Sequence, residues 1–279
     1  MSTGYKRPLS HSALNSFENY TNSFVVKYIL NLPAEKQATP AMTLGSATDI
    51  ILKNDIQRDL GLEVVPYPIT SADMAMAEEA VRITKACGEY DLLLKRLRKA
   101  LDGGGSVLFE HKLLRDVEDF QIVGYIDLCF RDSPNGQWYI IDFKTNGFYS
   151  TSPVSPKAPY NRYSHINGNV KAHPLFVNIR HDTWCGIGET ITPDHIDQVY
   201  LYSKLLNEPH IEEHIGGIFS IMPNGCAVSM GVLKSNVLER FVKMNEAIKS
   251  GHIFTDMTFE ENLERIEDLK NPYYRAVFA

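Results

Sequence analysis

Three adjacent residues in the middle of the chain, Asp142, Phe143 and Lys144, include the side chains best suited to chemistry. Two further acidic residues, Glu110 and Asp127, precede them in short runs of β-branched and aromatic residues. Carboxylate oxygens are hard ligands that suit Mg²⁺ or Mn²⁺, which take their remaining ligands from water and substrate phosphate. A cation held in this way makes water a better nucleophile and offsets charge on phosphorus. The pattern predicts metal-assisted chemistry on a phosphate, with Lys144 as an electrostatic partner.

Strands must position these side chains. The sequence predicts them at residues 107–114 (VLFEHKLL), 120–130 (FQIVGYIDLCF) and 137–144 (QWYIIDFK). The last two runs are joined by SPNG at residues 133–136, and Asn-Gly favours a tight hairpin turn. An antiparallel hairpin would bring Asp127 close to Asp142. Since Asp142 and Lys144 are two residues apart, they share one face of their strand.

A helix further along the chain supplies two more candidates. Thr192 is a favourable N-cap, Pro193 suits the first helical position, and Asp194 suits the first turn. Gln198 and Tyr202 then lie four residues apart on one face of the helix. Either both line the cleft beside the cation, or Tyr202 belongs to the core and Gln198 to the surface.

Taken in order, these motifs resemble the PD-(D/E)XK nuclease superfamily, in its RecB-like and phage-exonuclease branch. They are Glu110, the G-Y-I-D that ends at Asp127, the D-F-K that ends at Lys144, and Q-x-x-x-Y from Gln198 to Tyr202. The resemblance implies an α/β fold with a restriction-endonuclease-like core. A central mixed β-sheet would be flanked by helices, with helical N-terminal and C-terminal additions.

The resemblance also implies a role for each site residue. Asp127 and Asp142 would be the principal metal ligands, with the main-chain carbonyl of Phe143 as an addition. Glu110 would bind the metal or one of its waters. Lys144 would assist the nucleophile. The remaining two residues, Gln198 and Tyr202, would position the substrate.

The N-terminal sequence LSHSALNSF is similar to the S-x-S-x-L-x-x-F opening of RecB-like nuclease domains. Ser10 or Ser12 would cap a helix. The apolar residues of that helix recur at helical intervals: Leu14, Phe17, Phe24, Val25 and Tyr28. Members of the family tend to carry G-x-x-x-H on a following helix, and here Asp49 stands where the His would be. Asp49 is therefore a possible additional site residue, either as a fourth acidic group or in the outer shell.

A basic segment follows the strand that carries Lys144. The whole chain is acidic, with a net charge of −6, yet residues 143–181 contain no Asp or Glu. Proline and glycine residues in this segment argue against a long helix or a regular sheet. Positive charge suits phosphates and aromatic faces suit unpaired bases, so we expect a DNA-contacting insertion rather than a passive one. The expected contacts are Lys157, Arg162, Lys171, Arg180, Tyr160 and Tyr163.

Length and composition allow one large domain with helical additions or two intimate lobes. With the resemblance, the prediction is a single nuclease domain over residues 1–279. Residues 1–101 would be mainly helical, with one long helix or two in succession between residues 71 and 101. Residues 106–233 would form the catalytic core, interrupted by the basic and aromatic insertion at 145–192. C-terminal helices would fill residues 234–279.

Composition also sets expectations for cofactors and location. The four cysteines are widely spaced without a C-x-x-C pair, so we expect neither zinc nor an iron–sulfur cluster. No phosphate-binding P-loop motif is present, so we expect no nucleotide. No long apolar run or signal peptide is visible, which favours a soluble cytoplasmic protein, in the host cytoplasm if phage-encoded.

The resemblance therefore implies a Mg²⁺-dependent DNA exonuclease, with Mn²⁺ able to substitute, in phage-type recombination or DNA processing. The expected partners are DNA and a single-strand annealing protein, with no membrane, while subunit number is left open. Two alternatives stay open: a catalytically inactive nucleic-acid-binding or scaffold member of the same fold, and a structure-specific endonuclease.

Overall fold

A computed structural model describes residues 8–33, 39–64, 74–117, 120–149, 193–206, 215–223, 225–232 and 235–272. By its contacts the chain divides into two compact units. The larger comprises residues 38–111 and 125–234, and the smaller comprises residues 1–37, 112–124 and 235–279. The prediction of a single domain stays a prediction.

One five-stranded sheet is found in the described ranges. Its strands are β1 (Ser106–Val117), β2 (Phe120–Arg131), β3 (Tyr139–Thr145), β4 (Ile215–Met222) and β5 (Gly225–Val232), arranged in that order. Strand β3 pairs antiparallel with β2 and parallel with β4, and β4 pairs antiparallel with β5. The sheet is mixed, and with its flanking helices it confirms the α/β fold that the motifs imply.

The described residues contain eight α-helices and one π-helical turn. They are α1 (His11–Asn19), α2 (Thr21–Phe24), a π-helical turn (Val25–Ile29), α3 (Pro40–Asp59), α4 (Met74–Lys85), α5 (Gly88–Asp102), α6 (Pro193–Leu206), α7 (Val237–Ser250) and α8 (Phe259–Asp268). The stretch between residues 71 and 101 therefore holds two helices in succession, the second of the two predicted options. None of the helices in the described ranges is both long and apolar enough to cross a membrane.

The connection between β2 and β3 is longer than the tight hairpin predicted from Asn135-Gly136. Strand β2 ends at Arg131 and β3 begins at Tyr139. Gly136 N donates to Ser133 O over 3.0 Å, so Asn-Gly occupies the last two positions of a four-residue turn. Serine first, proline second and glycine last is the pattern that a type I turn favours. The predicted tight turn is therefore wrong, but the predicted antiparallel pairing of β2 with β3 is confirmed.

The larger unit is built on an apolar core beneath the sheet. Rings from adjacent strands stack, as in Phe130 with Tyr139, whose centroids lie 4.8 Å apart. Thr39 is the N-cap of helix α3, with its hydroxyl accepting from Met42 N, and Pro40 is the first helical residue. It inserts buried apolar side chains such as Leu52 into this core. Burial of α3 therefore fixes where its polar residues lie.

The smaller unit contains α1, α2, α7 and α8. Ser10 caps α1, with Ala13 N donating to its hydroxyl over 3.3 Å, while Ser12 is exposed. The single helix predicted up to Tyr28 is wrong, because α1 ends at Asn19 and the chain restarts in α2 after Tyr20, whose backbone is not helical. The helical spacing of the apolar residues continues across the break at Tyr20, so this spacing alone does not show where α1 ends.

Candidate active site

Asp127 and Asp142 are brought together by the pairing of β2 with β3. Leu128 is paired with Ile141, which makes the two aspartates the next positions along the register. Asp127 Oδ2 accepts a hydrogen bond of 2.9 Å from Phe143 N. This bond ties the carboxylate of one strand to the backbone of the other, beside the carbonyl that the sequence suggested as a ligand.

Lys144 connects the sheet to α6. Its Nζ lies 2.6 Å from Asp142 Oδ2, as expected for residues on one face of β3. The same Nζ donates to Gln198 Oε1 over 3.2 Å, and Gln198 Nε2 donates to Tyr202 OH over 2.8 Å. Tyr202 is buried, as the core alternative required, while its hydroxyl takes part in this chain of contacts. The structure thus brings Asp142, Lys144, Gln198 and Tyr202 together.

A second acidic group lies next to this chain. One carboxylate oxygen each of Asp49, Glu110 and Asp127 lies within 4.8 Å of the other two. Asp49 comes from α3, Glu110 from β1 and Asp127 from β2. Helix α3 does therefore direct Asp49 at the site. Asp142, whose carboxylate lies against Lys144, is not one of these three.

Glu110 has an unusual backbone conformation. Its φ is +49°, in the left-handed region that residues with a side chain rarely adopt. A non-glycine residue in this region costs roughly 1 kcal/mol or more and persists where surrounding structure imposes it. The departure occurs within β1 at a residue that the motif singles out. Local backbone strain at Glu110 thus coincides with its place in the acidic group.

Lys53 is the residue that sequence reasoning missed. Its side chain is only 2% exposed, and its ammonium forms close ion pairs with Asp49 and Glu110. Asp127 Oδ1 lies 3.6 Å from the same Nζ. The only local signal was the spacing of four between Asp49 and Lys53, which is typical of an ordinary surface ion pair on a helix.

Burial and mutual repulsion shift the acid strengths in this cluster. Burial raises the pKa of Asp49 to about 7, with a further contribution from Asp127. Burial, and then the neighbouring Asp142, raises the pKa of Asp127 to about 6. The pKa of Asp142 is also raised, mainly by burial and against the effect of Lys144. Without another positive charge, the carboxylates cannot all ionise freely near neutral pH.

The pKa of Lys144 is also shifted, but for an amine a raised pKa favours the charged form. Burial by itself would lower its pKa, but the carboxylates of Asp142, Asp127 and Asp49 together more than offset this, and the pKa of Lys144 is raised. The amine is therefore an ammonium at neutral pH. Burial raises the pKa of Tyr202, so its hydroxyl stays protonated as well.

The donor set fits a hard divalent cation. The ligand atoms on offer are carboxylate oxygens, with one main-chain carbonyl nearby and no sulfur or imidazole in the group. Asp49 Oδ1 is buried and has no hydrogen-bond partner among the described residues. A buried oxygen left in this state is costly unless an ion or a water meets it.

Two cysteines and a glutamate form another close group, which the wide sequence spacing did not predict. Ligand atoms of Cys87, Glu89 and Cys226 lie within 4.8 Å of one another in the core. Cys87 Sγ donates to Ile83 O and Cys226 Sγ donates to Thr84 O. Such contacts are ordinary for buried thiols, which pack as small apolar side chains.

The predicted DNA contacts lie outside the described residues. These are Lys157, Arg162, Lys171, Arg180, Tyr160 and Tyr163. The same holds for residues 150–192 of the predicted insertion at 145–192, which include the predicted N-cap Thr192.

Comparisons with known proteins give one family, and the solved structures that match include two distant ones. The sequence profile of the PD-(D/E)XK nuclease superfamily matches residues 8–158. A crystal structure from Eubacterium rectale, described as that of a proposed exonuclease, aligns with a TM-score of 0.44 and 13% identity, covering 95% of this chain and 81% of that one. The structure of SSO0001 aligns with a TM-score of 0.30 and 14% identity, covering 86% and 84%. No curated protein matches the chain.

Proposed function

The chain belongs to the PD-(D/E)XK nuclease superfamily, and from this premise we propose that it is a Mg²⁺-dependent deoxyribonuclease that degrades DNA from an end. One observation carries the proposal. The ammonium of Lys144 lies 2.6 Å from the Asp142 carboxylate and 3.2 Å from Gln198 Oε1, beside the aspartate pair. Action from an end, and a role in phage-type recombination or DNA processing, rest on the motif resemblance.

The proposed ligands come from two paired strands. Asp127 and Asp142, with the carbonyl of Phe143, would hold Mg²⁺, and Mn²⁺ would substitute. Glu110 would bind the ion directly or through a water, and Asp49 would stabilise it from the outer shell. A divalent ion at such a site supplies a more acidic water and positive charge beside the scissile phosphate.

The side chains around the ligands divide the remaining work. Because the pKa of Lys144 is raised, this residue acts as a cation that orients the attacking water and stabilises charge on the phosphate, not as a base. Gln198 accepts from Lys144 and donates to Tyr202, which holds the amine in one position. Accurate placement of a charged donor accounts for much of the barrier reduction in such sites.

Substrate contacts beyond the cluster are assigned to the basic insertion. Lys157, Arg162, Lys171 and Arg180 would track the phosphates, and Tyr160 and Tyr163 would stack on bases. A single-strand annealing protein is the partner that an end-processing nuclease would need, because digestion of one strand exposes the other.

Cleavage of two DNA forms tests the proposal. Purified protein is incubated in Mg²⁺ with end-labelled linear duplex and with covalently closed circles, beside D142N, K144M and K204M. Lys204 is a matched control, since it lies on α6 with its amine over the Tyr200 ring, 5.2 Å from the centroid. We expect loss of linear DNA alone, abolished in D142N and K144M but retained in K204M. Nicked circles would instead establish an endonuclease.

One observation favours the non-catalytic alternative. The ammonium of Lys53 already neutralises carboxylates that a metal would otherwise use. A protein that binds linear DNA but cleaves neither form in Mg²⁺ or Mn²⁺ would be the binding or scaffold member of the fold.

A further inference from the structure

Lys53 is a lysine that the proposed reaction does not require. Its side chain is 2% exposed, against 24% for Asp49, 33% for Glu110 and 20% for Asp127, the three carboxylates it faces. The ammonium is thus the most enclosed member of the group, with its partners arranged around it. An uncompensated lysine at this depth would be strongly unfavourable, so the carboxylates and the amine stabilise one another.

The packing of α3 keeps the Lys53 side chain away from solvent. Its neighbours Leu52 and Ile56 are fully buried in the core of the larger unit, and Asn54 is buried as well. Asp49, one turn earlier, lies on the same face of α3 as Lys53. The amine is consequently held at the carboxylates by the same packing that fixes the helix.

The charges of the cluster leave room for a single divalent ion. Four carboxylates, those of Asp49, Glu110, Asp127 and Asp142, face two ammonium groups, those of Lys53 and Lys144. Their full ionisation leaves two negative charges, which one divalent cation neutralises. A second divalent ion would give the cluster an excess of positive charge before substrate arrives.

We propose that Lys53 is a built-in substitute for a second divalent cation. Its ammonium occupies the group formed by Asp49, Glu110 and Asp127, and it limits the enzyme to one ion at Asp127, Asp142 and the Phe143 carbonyl. This inference rests on the proposed function, because it presumes that ion. Lys53 is a positioning residue, which holds the three carboxylates in place without touching the substrate.

Replacing Lys53 by an uncharged side chain should create a second metal site. Two unit charges about 4 Å apart interact by roughly 4 kcal/mol near a protein surface, and about 1.4 kcal/mol is tenfold in a binding constant. Loss of the amine should therefore strengthen binding of a second Mn²⁺ on the order of 1,000-fold or more. Methionine is suitable because it keeps the length of the side chain without the amine. Arginine keeps the charge and should exclude the second ion.

Mn²⁺ stoichiometry, measured by titration calorimetry and by the EPR signal of free Mn²⁺, tests the proposal without DNA. Wild type, K53M, K53R and K85M are compared at pH 7.5. Lys85 is a matched control, because it pairs with Asp55 and Asp59 away from the site. We expect one ion in wild type, K53R and K85M, and two in K53M, with K53M unfolding at a lower temperature in EDTA and recovering in Mn²⁺.

Other results overturn the proposal in distinguishable ways. Two ions in wild type, or one ion in K53M, would refute the substitution while leaving the proposed nuclease intact. No ion in wild type would refute the metal-dependent function itself. A K53M protein that stays unfolded even in saturating Mn²⁺ would show that a divalent ion cannot replace the ammonium, and this too would refute the proposal.

Discussion

The metal-free site should be a source of instability that a single substitution removes. Asp127→Asn keeps an oxygen to accept from Phe143 N but deletes a negative charge beside Asp142. We expect this variant to lose Mg²⁺-dependent cleavage and to be more stable than wild type in EDTA at neutral pH. Active sites often hold like charges close together, which lowers the stability of the protein but is needed for activity. Removing one such charge therefore raises stability and abolishes activity.

The magnitude follows from the pKa of Asp127, which burial and the neighbouring Asp142 raise from 3.8 to about 6. A carboxyl with a raised folded-state pKa contributes its full stability below the unfolded value, and that contribution is lost as the pH rises through the folded value. Each pKa unit corresponds to about 1.4 kcal/mol, so wild type loses at most about 3 kcal/mol between pH 4 and pH 6. Asp127→Asn has no carboxyl at this position, so its stability does not fall in this way between pH 4 and pH 6.

The assay is thermal unfolding in EDTA at pH 4.5 and pH 7.5, followed by the same scan in Mg²⁺ at pH 7.5. About 3 kcal/mol corresponds to a rise of roughly 6–12 °C in the unfolding temperature of Asp127→Asn at pH 7.5, from about 2–4 °C per kcal/mol. The difference should shrink at pH 4.5 and reverse in Mg²⁺, which binds wild type only. Asp55→Asn, on the outer face of α3 where Asp55 pairs with Arg58, should change stability by less than about 1 kcal/mol.

A variant that is less stable than wild type at both pH values would refute this reasoning. It would mean that the negative charge of Asp127 is favourable in the folded protein, with Lys53 outweighing burial and Asp142. An equal gain at both pH values would point to packing instead of ionisation.

Three further perturbations test other parts of the site. Lys144→Met should lower kcat by roughly 10²–10⁴-fold while Mn²⁺ stoichiometry is unchanged, because the amine acts on the substrate and not as a ligand; a lost ion would contradict that role. Tyr202→Phe removes the acceptor for Gln198 Nε2 and, at about 1 kcal/mol for one hydrogen bond, should lower kcat by roughly five- to tenfold without changing KM. Removal of divalent ions with EDTA should abolish cleavage at pH 7.5 and lower the unfolding temperature, and Mg²⁺ should restore both; cleavage that persists in EDTA would exclude a metal-dependent reaction.

Local patterns in the sequence were enough to predict the strands that carry the aspartates. The period of two along β3 places Asp142 and Lys144 on one face, and adjacent β-rich runs predict an antiparallel pair. Spacing on α6 likewise predicts that Gln198 and Tyr202 meet. Each of these relations spans a few residues or one short connection, so backbone periodicity determines it.

Tertiary structure alone decided that Lys53 joins the acidic residues of the site. Glu110 lies 57 residues after Lys53 in the chain, and nothing in either local sequence indicates that they form an ion pair. A lysine four residues after an aspartate is ordinarily a solvated pair on a helix surface. The burial of α3 against the sheet turns that pair inward, next to a glutamate whose backbone departs from the β conformation. Contacts between residues far apart in the sequence determine which side chains are buried. Burial in turn makes an aspartate and a lysine part of the acidic site, where on a helix surface they would form an ordinary solvated ion pair.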